Sequence, residues 1–353
     1  YSGAFQQHVE VDAPKNILAF SAVFACVTII ASDIAKLEID LTVEGDNGIC
    51  EDAPATSPYW AVLRKPNHFQ NRIKFIEQWI VSKLLYGNSY ALKQRDGRGI
   101  VTDLYLLDPQ RVKPLVAQDG GVYFQLSTDH LAGIAGSITV PASEIIHDMM
   151  VSLWHPLVGV SPIYACGMSA TMGNRIQGNS TKFFNNMSRP SGMLTAPSAI
   201  SDEVAGRLKK AWEENFGGAN IGRIAVLGDG LAYMPMTIAA GDAQLIEQLK
   251  WTVEDVARCF HVPLFKLSAE TGRQAGTLSL EALNQVYYTD CLQALIEALE
   301  LCLSEGLALP SGYAVELDLD GLLRMDTAAR YAAKGVAVKD GWMKPDEARA
   351  SED

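Results

Sequence analysis

The chain has 353 residues, 48% hydrophobic and 20% charged, enough apolar material for a sizeable core and too much for a disordered segment. Asp and Glu outnumber Lys and Arg by 41 to 29, a net charge of −12. That excludes a protein that grips nucleic acid over its whole surface by neutralising phosphates.

The first strong signal is Ile17 to Ala31, ILAFSAVFACVTIIA, where only Ser21 and Thr28 are polar. A bilayer-spanning helix needs about 20 apolar residues. Lys15 and Asp33 close this run, and Ala19 to Leu37 reads as a buried helix. Glu10 and Asp12 upstream carry the wrong charge for a signal peptide. Strict alternation from Glu38 to Val43 predicts a strand, and the polar stretch Gly45 to Pro58 a loop. A second apolar helix covers Ile73 to Tyr86 and ends at Gly87-Asn88, a pair suited to capping. Short strands follow at Asp103 to Leu107, Arg111 to Val116 and Val122 to Leu126, the last two flanking an Asp119-Gly120-Gly121 turn. Ile138 to Val140 and Ile145 to His147 complete an α+β first part.

Ser161-Pro162 opens a long helix reaching about Met187, Ser as N-cap and Pro at the first helical position. Arg189-Pro190-Ser191-Gly192 stops it. A small strand–helix–strand unit follows, Met193 to Thr195, Asp202 to Phe216 and Ile224 to Leu227, with a Gly228-Asp229-Gly230 turn leading into Leu231 to Met236. In its helix Val204, Leu208, Ala211 and Trp212 form an apolar stripe, and Arg207, Lys209, Lys210, Glu213 and Glu214 lie on other faces. The next helix spans Asp242 to His261 and ends at Pro263; polar Ser268 to Thr277, with Gly272 and Gly276, reads as a flexible loop. A third long helix, Leu278 to Glu305, carries Glu281, Asp290, Glu297, Glu300 and Glu305 and no Lys or Arg. A strand near Tyr313 to Leu319 and helical residues from Thr327 close the chain, which begins at Tyr1 and reads as a fragment trimmed at one or both ends. Long helices around a compact insert suggest an elongated subunit.

Tests for chemistry fail. A phosphate loop needs GxxxxGK[ST], but Gly173 is followed by Asn174 and Arg175. Gly228-Asp229-Gly230 lacks the third glycine of a dinucleotide loop, because Tyr233 stands there. Gly159-Val160-Ser161-Pro162-Ile163 lacks the last glycine of a nucleophile elbow. The stretch from Glu316 to Gly321 mimics a calcium loop, yet its twelfth position is Thr327 rather than Glu. Six scattered cysteines contain no CxxC, and the six histidines show no HxxxH or HExxH spacing. The cysteines read as reduced and mostly buried, and no catalytic residue, metal or cofactor is expected.

An ordered series of motifs nevertheless resembles the portal family of long-tailed double-stranded-DNA phages, over nearly the whole chain. The series runs Ala25-Cys26-Val27 with Ile30-Ala31 and Ile34-Ala35, Pro66-Asn67, Leu85-Tyr86-Gly87-Asn88-Ser89-Tyr90, Leu107-Asp108-Pro109, Ile145-Ile146-His147 and Gly159-Val160-Ser161-Pro162. It continues through Phe183 to Met187 with Pro190 and Gly192, Phe260-His261-Val262-Pro263, Leu322 to Asp326 and Gly341 to Arg349. Three positions depart from the family pattern: His261 replaces a usual Gly, Gln293 stands where relatives often carry Pro, and Lys344-Pro345-Asp346-Glu347 replaces Thr-x-Asn-Glu. The second departure leads us to expect a straighter last helix.

The resemblance implies a non-enzymatic, portal-type α+β subunit of a twelve-membered ring at one capsid vertex, through which double-stranded DNA is packaged and ejected. It implies an α/β wing over 1–160, a stem helix over 161–188, a small βαβ clip over 189–240, a returning stem helix over 241–262, a tunnel loop over 263–277, a long wing or channel helix and strand over 278–326, and a helical crown base from 327 to 353. Since family crowns are usually longer, much of the crown is expected to be missing. Implied DNA-facing loop residues are Lys266, Ser268, Glu270, Thr271, Arg273, Gln274 and Thr277; implied clip contacts are Glu203, Arg207, Lys209, Lys210, Glu213 and Glu214. Glu281, Asp290, Glu297 and Glu300 are the acidic channel candidates, as parts of a wall that repels DNA. Implied partners are further copies of the chain, the major capsid protein, the terminase large subunit that hydrolyses ATP, and head-completion or adaptor proteins. The expected locations are the virion and, during assembly, the host cytoplasm, with no membrane contact. The rival readings are a phage nuclease or protease, for which no constellation is present, and a capsid or scaffold protein, which has no need of the helix–insert–helix–loop–helix order.

Overall fold

A computed structural model describes residues 17–45, 50–186, 192–195, 203, 206, 232–235, 241–267, 280–319, 322 and 327–350. The chain divides into two compact units, 1–167 with 256–353, and 168–255.

The first unit is built on two apolar helices. In α1 (Ser21–Ala35) the stripe Val23, Cys26, Val27, Ile30, Ala31 and Ile34 is buried. It packs against α3 (Arg72–Tyr86), which buries Phe75, Ile76, Trp79, Ile80 and Leu84. Asn71 caps α3 by accepting from the Lys74 amide at 2.8 Å, and Gly87 ends it in the left-handed region at φ 75. No helix among the described residues is long and apolar enough to cross a membrane.

Among the described residues this unit also holds three antiparallel sheets. β1 (Ile39–Glu44) lies between β2 (Cys50–Asp52) and β11 (Tyr313–Leu317). β3 (Asn88–Arg95) lies between β4 (Val101–Leu107) and β8 (Ile145–Met149). β6 (Val122–Leu126) lies between β5 (Val112–Val116) and β7 (Ile138–Pro141). A short α2 (Tyr59–Arg64) sits between the first sheet and α3 in sequence.

Two strands were not legible in the sequence. The expected loop Gly45 to Pro58 holds β2, whose three residues are all exposed and so show no alternation. β3 is buried on both faces from Asn88 to Ala91 and exposed at its far end, so its pattern is no simple alternation either. The expected strands Ile138 to Val140 and Ile145 to His147 belong to different sheets.

α4 (Ile163–Asn186) starts where Ser161-Pro162 placed it, the Ser161 hydroxyl accepting from the Ile163 amide at 3.0 Å. In the second unit β9 (Gly192–Thr195) pairs antiparallel with β10 (Ala232–Pro235). The inner helix is described only at Glu203 and Gly206, both helical, and the expected strand Ile224 to Leu227 lies outside the described residues. Within this unit Ser169 hydrogen-bonds Asp255, a residue of α5 (Gly241–Cys259).

The last long helix is not the straight run expected. α6 (Leu280–Tyr287) and α7 (Gln293–Gly306) are joined by a π-helical turn, Tyr288–Leu292, that ends directly before Gln293. The cause is legible in hindsight. Tyr287, Cys291, Leu295, Leu299, Leu303 and Leu307 recur every four residues and all are buried. In an α-helix each such step over-rotates by about 40°; one wider turn takes back part of that drift and keeps the stripe facing the core. α8 (Thr327–Lys339) and α9 (Pro345–Ala350) follow β11.

The end of α5 explains one departure from the family pattern. His261 adopts φ 56, the left-handed geometry that suits Gly, and the Val262 amide closes the cap onto the Ala257 carbonyl at 2.9 Å. The backbone therefore keeps a glycine-type cap with a side chain placed on it. Exchanging exposed His261 for Gly should stabilise the chain by about 1 kcal/mol, read from urea unfolding midpoints. Unchanged stability would show that the cap carries no strain.

Candidate functional site

Two motifs singled out in the sequence, Gly87-Asn88 and Gly159-Val160-Ser161-Pro162, meet in space at the root of α4. The Asn88 amide nitrogen donates to the carbonyls of Tyr86 and Gly159, each at 3.0 Å, and its oxygen accepts from the Gly159 amide at 2.9 Å. The Ser161 hydroxyl donates to the Leu84 carbonyl at 2.6 Å while capping α4. Gly87 and Gly159 approach so closely that a Cβ on Gly87 would stand 2.4 Å from the Gly159 oxygen, and one on Gly159 would stand 2.1 Å from the Gly87 oxygen. Only glycine fits at either position, because the atoms in the way are backbone.

His147 completes this clamp. Its Nε2 lies 3.1 Å from the Asn88 oxygen, which already accepts from Gly159, so Nε2 carries the proton and donates. The ring stacks on Tyr90 at 4.3 Å and meets Phe124 edge-on at 5.5 Å. Burial lowers its pKa from 6.5 to about 4. Beside it, Lys83 and Asp148 form an ion pair at 2.6 Å, their side chains 2% and 1% exposed, and Trp79 Nε1 donates to the second Asp148 oxygen at 2.8 Å. A buried pair of this kind gives little net stability but is costly to break. It ties α3 to β8. Burial, followed by the Asp148 charge, pushes the nearby Cys302 thiol up to about 12, which leaves it inert.

A second convergence lies where α5 gives way to the expected loop. Lys266, in a 3-10 turn, stands 3.8 Å from Asp33 and 4.5 Å above the Tyr287 ring. Asp33 also pairs with Lys36 at 2.7 Å. Tyr287 is fully buried; burial, then the Asp33 charge, raises its hydroxyl pKa. Lys266 thus fastens the start of the loop to α1 and to α6. Within the protomer that charge is directed at Asp33 and an aromatic face.

The other expected site residues are distributed as follows. Ser268, Glu270, Thr271, Arg273, Gln274 and Thr277 lie outside the described residues, as do Arg207, Lys209, Lys210, Glu213 and Glu214. Glu203 is exposed. Glu281 lies on α6, Asp290 is exposed on the π turn, and Glu297 is exposed and accepts from Gln293 at 2.8 Å. Glu300 has another task. It is half-buried and accepts from the Leu317 amide at 2.7 Å, joining α7 to β11. Burial, then Glu316 and Glu297, raise its pKa. Across β1 and β11, Asp40 stands opposite Glu316; burial first and then Asp52, Asp318, Glu38 and Glu316 raise the Asp40 pKa. Among the described residues no His, Cys, Asp or Glu cluster could hold a metal.

Two outcomes test the clamp. Asn88→Ala strands the buried donors and acceptors it serves and should cost on the order of 3 kcal/mol in denaturant unfolding. A loss below about 0.5 kcal/mol would show that water substitutes for the side chain. His147 has a folded pKa below its ordinary value, so its contribution is complete above pH 6.5 and is lost as pH falls toward 4. That loss should amount to about 3 kcal/mol, and a His147→Gln chain should lack this component of the pH slope.

Comparison with known proteins agrees with these motifs. The family model described as Phage portal protein matches residues 21–353. The chain is 26% identical to the probable portal protein of Streptomyces phage phiC31, aligning 99% of this chain with 78% of that one. It is 25% identical to the portal protein of Enterobacteria phage HK97, over 96% and 79% of the two chains. Among solved structures, a chain from the neck of a native gene transfer agent particle computed with C12 symmetry matches with TM-score 0.64 and 21% identity, covering 99% of this chain and 95% of that one. An HK97 family phage portal protein from Corynebacterium diphtheriae matches with TM-score 0.64 and 15% identity, over 90% and 99%. At these identities the two structures speak for the fold, a mixed arrangement of helices and sheets; the family match over nearly the full length says more, and on it the chain belongs to the phage portal protein family.

Proposed function

We propose that copies of this chain close into a ring, with twelve as the expected number, at one vertex of a phage capsid, and that double-stranded DNA passes through the axial opening. The observation that carries this reading is the family match over residues 21–353. It is supported by the likeness to a neck chain whose particle was computed with C12 symmetry.

The parts take the roles their family positions suggest. Residues 1–160 form the wing, 161–188 and 241–262 the stem helices, and 189–240 the clip that docks the terminase large subunit and later the head-completion proteins. Residues 263–277 supply the tunnel loop, 278–326 the long wing or channel helix and strand, and 327–353 the start of the crown; the major capsid protein is a further partner. Within this scheme the clamp of Asn88, Gly159 and Ser161 fixes where the first stem helix starts. Lys266 anchors the leading end of the tunnel loop, leaving Ser268, Glu270, Thr271, Arg273, Gln274 and Thr277 to meet DNA. Glu281, Asp290, Glu297 and Glu300 are the acidic channel residues on this reading.

Charge favours a conduit over a binder. Twelve copies at −12 each carry −144. A channel that neutralised phosphates would hold DNA in a salt-dependent grip, whereas an acidic one lets a polyanion slide. The protein's part is structural, and ATP hydrolysis falls to the docked motor.

Negative-stain images of the purified chain should show annular particles with a central hole; monomers that cleave DNA, or flat sheets, would contradict the reading. Deleting Ser268 to Gly276 should leave the rings intact and impair DNA packaging or retention. Loss of the rings on that deletion would show that the loop builds the assembly instead of serving its lumen.

A further inference from the structure

Met149 to Asn174 is the longest stretch of the chain without Asp, Glu, Lys or Arg. Its first part lies on the surface, with Val151, Leu153 and Trp154 at 61%, 55% and 53% exposure. Single exposed apolar side chains are ordinary. Three large ones within four residues make a knob.

The loop that carries them is held in shape. The Val160 amide donates to the Val151 carbonyl at 2.9 Å and closes the two ends of the loop. The Val158 amide donates to the His155 carbonyl at 3.0 Å, and the Leu157 amide to His155 Nδ1 at 3.1 Å. Trp154 stands edge-on to Tyr164 with ring centroids 6.0 Å apart. At the base, the Met150 amide donates to the Gly87 carbonyl at 2.9 Å, and Gly159 is locked by Asn88. Holding this backbone in order costs entropy, and the ordered loop keeps apolar surface in water.

We propose that the knob Val151–Trp154 is a contact with a second copy of this chain, seated against a different face of its neighbour, so that one joint repeats around the ring. The proposal rests on the ring reading and names the surface that closes it. Head-to-tail contacts of this kind are what a rotationally closed ring requires. Charge selects the occupant. Each copy carries −12, so like-charged copies meet at least cost where neither presents charge. Interface cores are depleted of charge and enriched in Trp, and a pre-formed loop loses little entropy on docking. DNA is a poor occupant, because the stretch offers no cation to a phosphate.

The test uses the whole chain, with circular dichroism confirming that each variant is folded. Sedimentation of wild type should show rings. Trp154→Glu, and to a smaller degree Trp154→Ala, should raise the protein concentration needed for half assembly by about 30-fold or more, the effect of losing one interface hot spot. A photo-crosslinking amino acid placed at Val151 should give a ladder of covalent multimers made of this chain alone. If both Trp154 variants assemble at the wild-type concentration, or Val151 crosslinks only to a different protein, the knob proposal is overturned and the ring stands. If wild type forms no ring under any condition, the ring reading falls and takes the knob with it.

Discussion

The mutual approach of Gly87 and Gly159 is the constraint around which the first unit is arranged. Two backbones pass so closely there that neither position tolerates a Cβ. Asn88 fills the remaining hydrogen-bonding capacity of the crossing, to Tyr86 on one side and Gly159 on the other. Three consequences follow from this one contact. α3 must stop at Gly87, β3 must start at Asn88, and the chain must turn at Ser161 into α4. The polar groups behind the crossing, His147, Asp148 and Lys83, then bind β8 to α3 in a setting too dry for any of them to be left alone.

On the proposed reading, a subunit that lets a polyanion pass needs a rigid body and a surface that does not adhere. The buried network supplies rigidity at the root of α4. The surplus of acidic residues, including the Asp40 and Glu316 pair on facing strands, supplies the second property at some cost in stability, since like charges directly opposite repel. Where Lys266 could have offered a cation, Asp33 and Tyr287 take it up.

The parts of this fold that the sequence made legible are those fixed by near neighbours. The stripes of α1 and α3, the Gly87 cap, the β5–β6 turn and the Ser161 start of α4 depend on residues within a few positions of one another, and all were readable. β2 and β3 were not, because neither alternates. The tasks of Glu300 and Lys266 were not legible either: their partners, the Leu317 amide and Asp33, are remote along the chain, and nothing in the local spacing marks them. The π turn left a trace in the fourfold recurrence of buried residues from Tyr287 to Leu307, although substitution at Gln293 alone suggested a straighter helix. The motifs Gly87-Asn88 and Gly159-Val160-Ser161-Pro162 were visible separately, while their meeting was not.

Closure of many copies around an axis is what the proposed function requires, and the particle mass reads that most directly. Mass photometry of the purified 38.3 kDa chain at physiological salt should find a dominant species at twelve times the protomer mass. A population that stays at the protomer mass across the whole accessible concentration range would contradict it.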